Sequence, residues 1–260
     1  MNRARIAIGD IETAPLVGNH WGLWDQTIGL NQIVKEWTIL SFSWKEFGAP
    51  AKDIIYMDTS GKADVRDDYD LCVALGKLLD EYDFLIAQNG KKFDLRKIRA
   101  RLIMHGLPPH SPIRVIDTML MAKQVAAFTS NKLEWLTDKL TNVPKSKHKD
   151  FPGFELWTEC LAGNPKAWAT MKKYNVRDIV GTEALYLRLR PWVHDHPNIN
   201  VYNDGEKEAC PRCASEKLEK RGYEYTNVGQ YHRYRCGDCG GWTRSRYTLN
   251  PTAKRKSLLK

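Results

Sequence analysis

A short apolar segment that ends in two carboxylates constrains the fold of this chain more than any other feature of its sequence. Ile6-Ala7-Ile8 predicts a buried strand, and it leads directly into Asp10-Ile11-Glu12. Because side chains alternate along a strand, Asp10 and Glu12 point to the same face of the sheet. Carboxylates brought together at the end of a buried sheet repel one another, so we expect the cluster to hold divalent cations.

The rest of the N-terminal part alternates between strand and helix patterns. Runs rich in β-branched and aromatic side chains predict further strands at residues 37–44, 54–57 and 84–87. Apolar residues at helical spacing predict helices at residues 70–79, 95–105, 119–127, 133–140 and 165–189. Three strands, a helix, a fourth strand and then mostly helices predict an α/β domain, with a mixed sheet flanked by helices. Residues 144–149 predict an exposed loop.

Two more carboxylates lie where this fold brings distant segments together. Asp94 opens the helix that follows the 84–87 strand. Asp178 lies on the last long helix, four residues after Tyr174, so the phenol and the carboxylate share one helical face. Taken alone, Asp94 is better explained as a helix N-cap and Asp178 as a solvated helix residue. All four carboxylates together indicate a site for two metal ions, the arrangement that hydrolyses phosphodiesters.

Three segments, in this order, resemble the motifs of the DEDD exonucleases, which have a DnaQ-like, ribonuclease H-like fold. Asp10-Ile11-Glu12-Thr13 resembles the first motif, DxE. Asn89-Gly90-Lys91-Lys92-Phe93-Asp94 resembles the second motif. Tyr174-Asn175-Val176-Arg177-Asp178 resembles the third motif in its tyrosine form, YxxxD. The similarity extends over about residues 6–189, and it includes the connecting segment Val115-Ile116-Asp117-Thr118.

The resemblance implies a 3′→5′ exonuclease that uses two Mg²⁺ or Mn²⁺ ions. It implies that Asp10 bridges both metals and that Glu12 and Asp178 complete the first site. It also implies that Asp94 supports the second site and that Tyr174 orients the attacking water. These five residues are therefore the predicted catalytic residues.

Four residues near the carboxylates are expected to contact the substrate. Thr13 and Asn89 belong to the first two motifs, although one extra residue separates Asn89 from Phe93 relative to the shortest form of the motif. Trp21 and Trp24 lie in a glycine-punctuated loop directly after the metal-binding strand. We expect them to stack on bases near the 3′ end, because every base offers a π face. The alternative for these two tryptophans is packing into the core of their own domain.

Two Cys-x-x-Cys pairs near the C-terminus predict a zinc site. Cys210 and Cys213 form the first pair, Cys236 and Cys239 form the second, and 22 residues separate the pairs. In a chain that shows no apolar core of a signal peptide, such pairs indicate zinc rather than disulfides. Thiolates at this spacing close a tetrahedral Cys₄ site, which is structural and holds one Zn²⁺ ion. The segment resembles the zinc ribbons of transposases and phage proteins.

The C-terminal part also carries an excess of positive charge. The whole chain has a formal charge of +9, and residues 201–260 contain 13 Lys and Arg against 7 Asp and Glu. Arg233, Arg235 and Arg244 interleave with tyrosines and with Trp242. Cations mixed with aromatic side chains suit a nucleic-acid surface, because they neutralise phosphates and stack on bases. The alternative is that the ribbon serves folding or docks a protein partner.

These observations predict four segments and one preferred function. The segments are an exonuclease domain at residues 1–196, a linker at 197–208, a Cys₄ zinc ribbon at 209–248 and a basic tail at 249–260. The preferred substrate is single-stranded DNA. The alternatives are a 3′→5′ exoribonuclease and a catalytically silent nucleic-acid-binding protein that uses the ribbon.

The expected location is the cytoplasm of a bacterial or phage-infected cell. No stretch of the chain approaches the run of about 20 apolar residues that a membrane span needs. We therefore expect nucleic acid, and no membrane, as the partner of this chain.

Overall fold

The structure, a computed structural model, describes residues 3–143 and 148–259 and divides into two compact units. The first unit consists of Arg5–Met119 and Ser130–Leu185. The second consists of Met1–Ala4, Leu120–Thr129 and Tyr186–Lys260. Four of the six residues in the predicted loop at 144–149 lie outside the described residues.

A five-stranded mixed sheet forms the centre of the first unit. Its strands are β1 (Ile6–Thr13), β4 (Ile39–Glu46), β5 (Ile55–Asp58), β6 (Phe84–Ala87) and β7 (Arg114–Asp117). Their order across the sheet is β5-β4-β1-β6-β7. Strand β4 runs antiparallel to both β1 and β5, whereas β6 runs parallel to β1 and β7. A two-stranded hairpin of β2 (Val17–Gly18) and β3 (Ile33–Lys35) lies between β1 and β4 in the chain.

The first six helices follow the predicted pattern with one addition, α5. They are α1 (Tyr69–Glu81), α2 (Asp94–Met104), α3 (Thr118–Val125), α4 (Leu133–Leu140), α5 (Glu155–Leu161) and α6 (Pro165–Leu189). The predicted mixed sheet flanked by helices is confirmed. Strand β7 and helix α5 were not predicted as regular elements, because four and seven residues are too short to show a clear period.

The two faces of the central sheet differ in chemistry. One face packs against α1 and α2 through an apolar cluster that includes Ile11 of β1 and Trp44 of β4. Gly9 makes room on this face, since a Cβ atom there would lie 2.5 Å from the Trp44 ring. The alternate residues of β1 and β4, among them Asp10 and Lys45, point to the opposite face and contact α6. The polar side chains that β1 and β4 contribute therefore lie on one face of the sheet.

The second unit contains a three-stranded antiparallel sheet, in the order β10-β9-β8. Its elements are β8 (Leu218–Thr226), β9 (Gly229–Cys236), β10 (Trp242–Arg244) and the short helix α7 (Thr252–Ser257). The segment predicted as a linker contains a 3₁₀ turn at Ile199–Tyr202. From this turn, the Asn200 side chain donates to the carbonyl groups of Ala209 and Cys210 at 2.8 and 3.1 Å. Among the described residues, no helix has both the length and the apolar character that crossing a bilayer requires.

Candidate active site

Three of the four predicted metal-binding carboxylates converge on the polar face of the sheet. The ligand oxygens of Asp10, Glu12 and Asp178 all lie within 4.8 Å of one another. Asp10 and Glu12 come from β1, and Asp178 comes from α6. Two oxygens on opposite sides of a Mg²⁺ ion are about 4 Å apart, and hard divalent cations prefer carboxylate oxygens. The donor set therefore fits Mg²⁺ or Mn²⁺.

Asp94 occupies a different environment beside the same strand. It is 3% exposed, and its carboxylate accepts the backbone N–H of Ile11 at 3.2 Å. Ile11 lies between Asp10 and Glu12, beyond the last β1 residue that pairs with β6. Burial raises the pKa of Asp94 to about 7, and the charge of Asp117 adds to the rise, while the hydrogen bond from Ile11 opposes it. Asp94 thus holds the strand that carries the ligands, but it is not one of the three carboxylates that converge.

Asn175 belongs to the site, although nothing in the sequence pattern distinguished it from its neighbours in the third motif. It is fully buried on α6, and its side-chain amide donates to the carboxylate of Asp10. A longer contact of 3.4 Å reaches the Asp10 carbonyl oxygen. Asn175 precedes Asp178 by three residues and so lies on the same helical face. That spacing, with a polar residue on a buried face, is the signal that marks it in retrospect.

Tyr174 is held by aromatic neighbours on two sides. It is 8% exposed, and the rings of His148 and Trp157 pack edge-on against it at 5.3 and 5.9 Å. These contacts restrict the orientation of the phenol ring. Its predicted role in orienting water stays a prediction.

The turn before α2 is built around Asp117, the last residue of β7. Asn89 adopts the left-handed conformation, with φ at +65°. The backbone N–H groups of Asn89 and Lys91 both donate to the Asp117 carboxylate at 3.1 Å. Asp117 therefore fixes the turn that leads into Asp94. Thr13, the other motif residue expected to contact substrate, is half-buried at the end of β1.

The two tryptophans of the loop after β1 project into solvent. Trp21 is 99% exposed and Trp24 is 83% exposed, and Leu23 between them is 82% exposed. The alternative that they pack into the core of their own domain is therefore wrong. Exposed aromatic rings are what base stacking requires, although stacking itself remains a prediction.

The four cysteines of the second unit form a compact cluster. Their Sγ atoms all lie within 4.8 Å of one another, with 3.6 Å between Cys210 and Cys239 and 3.6 Å between Cys213 and Cys236. A tetrahedral zinc site with Zn–S bonds of 2.3 Å has sulfur atoms about 3.8 Å apart. The observed spacing fits such a metal. Each pair is closed by a left-handed residue whose N–H binds the carbonyl of the first cysteine, and these residues are Ala214 and Gly240.

The three arginines predicted to bind substrate lie on one face of the ribbon sheet. Arg235 pairs with Trp242 and Arg233 pairs with Arg244 across β9 and β10, and paired residues share a face. The Arg233 guanidinium lies 4.9 Å from the Trp242 ring centroid, and that of Arg244 lies 3.9 Å from the ring centroid of Tyr231. All three arginines are exposed. The ribbon thus presents a face of arginines and aromatic rings.

Comparison with known proteins gives one family match. The model of the RNase_H superfamily matches residues 10–190, a range that includes every predicted catalytic residue. Among solved structures, the chain is similar to a family B DNA polymerase from the hyperthermophilic archaeon Pyrobaculum calidifontis, with a TM-score of 0.49 and 13% identity. This similarity covers 86% of the chain and only 31% of the polymerase. No curated protein matches the chain.

Proposed function

The chain belongs to the RNase_H superfamily, and from that membership we propose that it is a metal-dependent 3′→5′ exonuclease. The observation that carries the proposal is the convergence of the Asp10, Glu12 and Asp178 oxygens within 4.8 Å. Three carboxylates from distant parts of the chain repel one another without a cation, so their convergence favours a bound one. A protein that only bound nucleic acid would gain nothing from this acidic cluster beside an anionic substrate.

Different residues of the chain would position the metals, the metal-binding strand and the attacking water. Asp10, Glu12 and Asp178 would hold the metals, with Asp94 as the further ligand that the motif implies. When bound, two Mg²⁺ or Mn²⁺ ions would activate the attacking water and stabilise the leaving oxygen. Asn175 holds Asp10 from α6, and Asp94 holds the backbone of β1. Tyr174, fixed by its aromatic neighbours, would orient the water.

Single-stranded DNA is the substrate that we propose. Trp21 and Trp24 offer two exposed rings in the loop that follows β1, and stacking needs unpaired bases. The arginine face of the ribbon, with Arg233, Arg235 and Arg244, would bind the phosphate backbone. We further propose that the four cysteines hold one structural Zn²⁺ ion that keeps the ribbon folded.

A nuclease assay with one isosteric variant tests the catalytic proposal. The zinc-loaded protein is incubated with 5′-labelled single-stranded DNA, its duplex or RNA of the same sequence, with and without added Mg²⁺ or Mn²⁺. The expected result is a ladder that shortens from the 3′ end, fastest on single-stranded DNA and absent without added metal. Asp178→Asn should reduce the rate at least about a hundredfold, because several kcal/mol of stabilisation by metal is lost. Asp70→Asn, an exposed change on α1, is the matched control.

The outcomes separate the alternatives. Fastest shortening of the RNA indicates an exoribonuclease. Cutting that persists without divalent ions, or in Asp178→Asn, contradicts the two-metal proposal. Binding without any cutting leaves a silent nucleic-acid-binding protein.

Replacing the loop tryptophans tests the stacking contact. Each stacked base contributes about 1–3 kcal/mol, so Trp21→Ala with Trp24→Ala should raise KM for single-stranded DNA by at least about fivefold. Trp192→Ala, which removes a tryptophan that is 66% exposed in the second unit, is the matched control. An unchanged KM in the double variant would remove these residues from the substrate path.

A further inference from the structure

Strand β4 places two buried serines directly opposite the two carboxylates of β1. Ser43 pairs with Asp10, and Ser41 pairs with Glu12. Side chains directly opposite on antiparallel strands point to the same face, with Cβ atoms about 4.5–5.5 Å apart. Both serines are 0% exposed. Each hydroxyl therefore lies on the polar face beside a residue of the acidic cluster.

The Ser43 hydroxyl is costly where it stands. It has no hydrogen-bond partner among the residues that the structure describes. A buried hydroxyl without a partner costs about 1–3 kcal/mol, and alanine would avoid that cost at the same position. Ser41 is a weaker candidate, because it already affects another group: burial raises the pKa of the Tyr56 phenol on β5, and Ser41 opposes that rise. Ser43 is therefore the buried hydroxyl whose energetic cost needs a functional explanation.

The hydrogen-bonding capacity of Asp10 supplies that function. An ionised carboxylate offers about four lone-pair sites. If Asp10 faces two metal ions, as the proposed function requires, its other lone pairs face groups of the protein. Asn175 of α6 already donates to one carboxylate oxygen from the helix side. Ser43 lies on the strand side, directly opposite the same carboxylate.

We propose that Ser43 is a positioning residue for Asp10. Its hydroxyl finds no partner among the described residues of the metal-free fold, and on metal binding it would donate to the Asp10 carboxylate and fix the oxygen that faces the metal. Asp10 would then be held between β4 and α6. Groups that hydrogen-bond to metal ligands orient them and raise metal affinity. The inference rests on the proposed function, since it concerns the same carboxylate cluster.

Metal affinity, measured without substrate or turnover, tests this role. Mn²⁺ binding to the zinc-loaded protein is followed by isothermal titration calorimetry for the wild type and for Ser43→Ala. The expected result is about tenfold weaker Mn²⁺ binding in Ser43→Ala, the lower end of the range for such partners. The unfolding midpoint of the Mn²⁺-free protein should stay the same or rise, because the variant removes an unsatisfied buried hydroxyl.

Thr38→Val is the matched control. Thr38 is 5% exposed, and its hydroxyl also has no partner among the described residues, but it pairs with no carboxylate of β1. It should leave Mn²⁺ affinity unchanged. Unchanged affinity in Ser43→Ala, or an equal loss in Thr38→Val, overturns the role of Ser43.

Asp10→Ala separates failure of this inference from failure of the proposed function. If the wild type binds Mn²⁺ more tightly than Asp10→Ala, but Ser43→Ala binds like the wild type, only the role of Ser43 fails. If the wild type binds no better than Asp10→Ala, the metal site itself fails and takes both proposals with it.

Discussion

Replacing Glu183 of α6 with glutamine is expected to destabilise the first unit by about 3–5 kcal/mol. Glu183 forms an ion pair with Lys45 of β4, and the two side chains are 16% and 2% exposed. Lys45 also donates to the carbonyl of Ala49 at 2.7 Å, while Glu183 accepts the N–H of Gly48 at 2.8 Å. Glutamine keeps the shape and an acceptor but removes the charge. The Lys45 ammonium then stays buried without a counter-ion, and this accounts for most of the cost.

The size of the first unit allows this free energy to be expressed as a change in melting temperature. The first unit has about 170 residues, so its entropy of unfolding is about 0.36 kcal/mol/K near the midpoint. A loss of about 4 kcal/mol therefore lowers Tm by about 11 °C. The measurement is differential scanning calorimetry of the zinc-loaded protein at pH 7. Glu81→Gln is the control, because its ion pair with Arg5 spans 3.4 Å with both side chains about half exposed, and such pairs contribute less than about 1 kcal/mol.

A double variant tests the reason for the effect. Lys45→Met with Glu183→Leu removes both charges and fills the space, so most of the stability should return. High salt should not narrow the difference between Glu183→Gln and the wild type, because a buried pair is poorly screened. The reasoning from buried charge is refuted if the single variant lowers Tm by less than about 2 °C, or if the double variant is no more stable than the single one.

Three further predictions concern stability and the zinc site. Asp68→Ala should lower the free energy of unfolding by about 3–5 kcal/mol in a thermal melt, because the buried Arg101 guanidinium, which binds Asp68 at 2.6 and 2.7 Å, is left without its counter-ion. The control Asp70→Ala should lower it by less than about 1 kcal/mol. Burial lowers the pKa of His196 from 6.5 to about 4, so the unfolded chain binds a proton before the folded one does, and stability should fall by about 3 kcal/mol between pH 6.5 and 4. His196→Gln should abolish this slope in a pH series of denaturation curves; a slope that persists would assign it to another group. Cys236→Ser should release zinc in a metal assay and remove the cooperative melting of the ribbon, and retained zinc would argue against a Cys₄ site.

The sequence predicted the fold where its patterns were long or its strands apolar. Residues 84–87, 133–140 and 165–189 form the predicted elements with the predicted bounds. The ribonuclease H-like α/β fold is confirmed by the sheet topology and the family match. The hairpin of β2 and β3 could not be predicted, because its strands have two and three residues and its side chains are mostly exposed. Such a hairpin is held by local backbone pairing, which leaves no hydrophobic period in the sequence.

The site was predictable only where a motif marks it. Asp10, Glu12 and Asp178 follow from their motifs, and the structure brings them together. Asn175 and Ser43 carry no such mark, because their placement depends on how α6 crosses the sheet and on the register of β4 against β1. A shift of one residue in that register would turn Ser43 to the apolar face. Contacts of this kind become visible only once the strands are paired.

Helix α6 links the stability of the first unit to its chemistry. Asn175, Asp178 and Glu183 lie at helical positions i, i+3 and i+8, which share the face turned to β1 and β4. Loss of the Lys45 ion pair should therefore loosen the same face that positions Asp178, so Glu183→Gln should lower both Tm and Mn²⁺ affinity. Ser43 lies on the strand side of the site, and its hydroxyl finds no hydrogen-bond partner among the described residues of the metal-free fold. Ser43→Ala should therefore lower Mn²⁺ affinity without lowering Tm. Glu183 acts through Lys45, which lies two residues from Ser43 on the same face of β4. Comparing the two variants therefore distinguishes a rigid scaffold that presents the carboxylates from a local hydrogen bond that orients one of them.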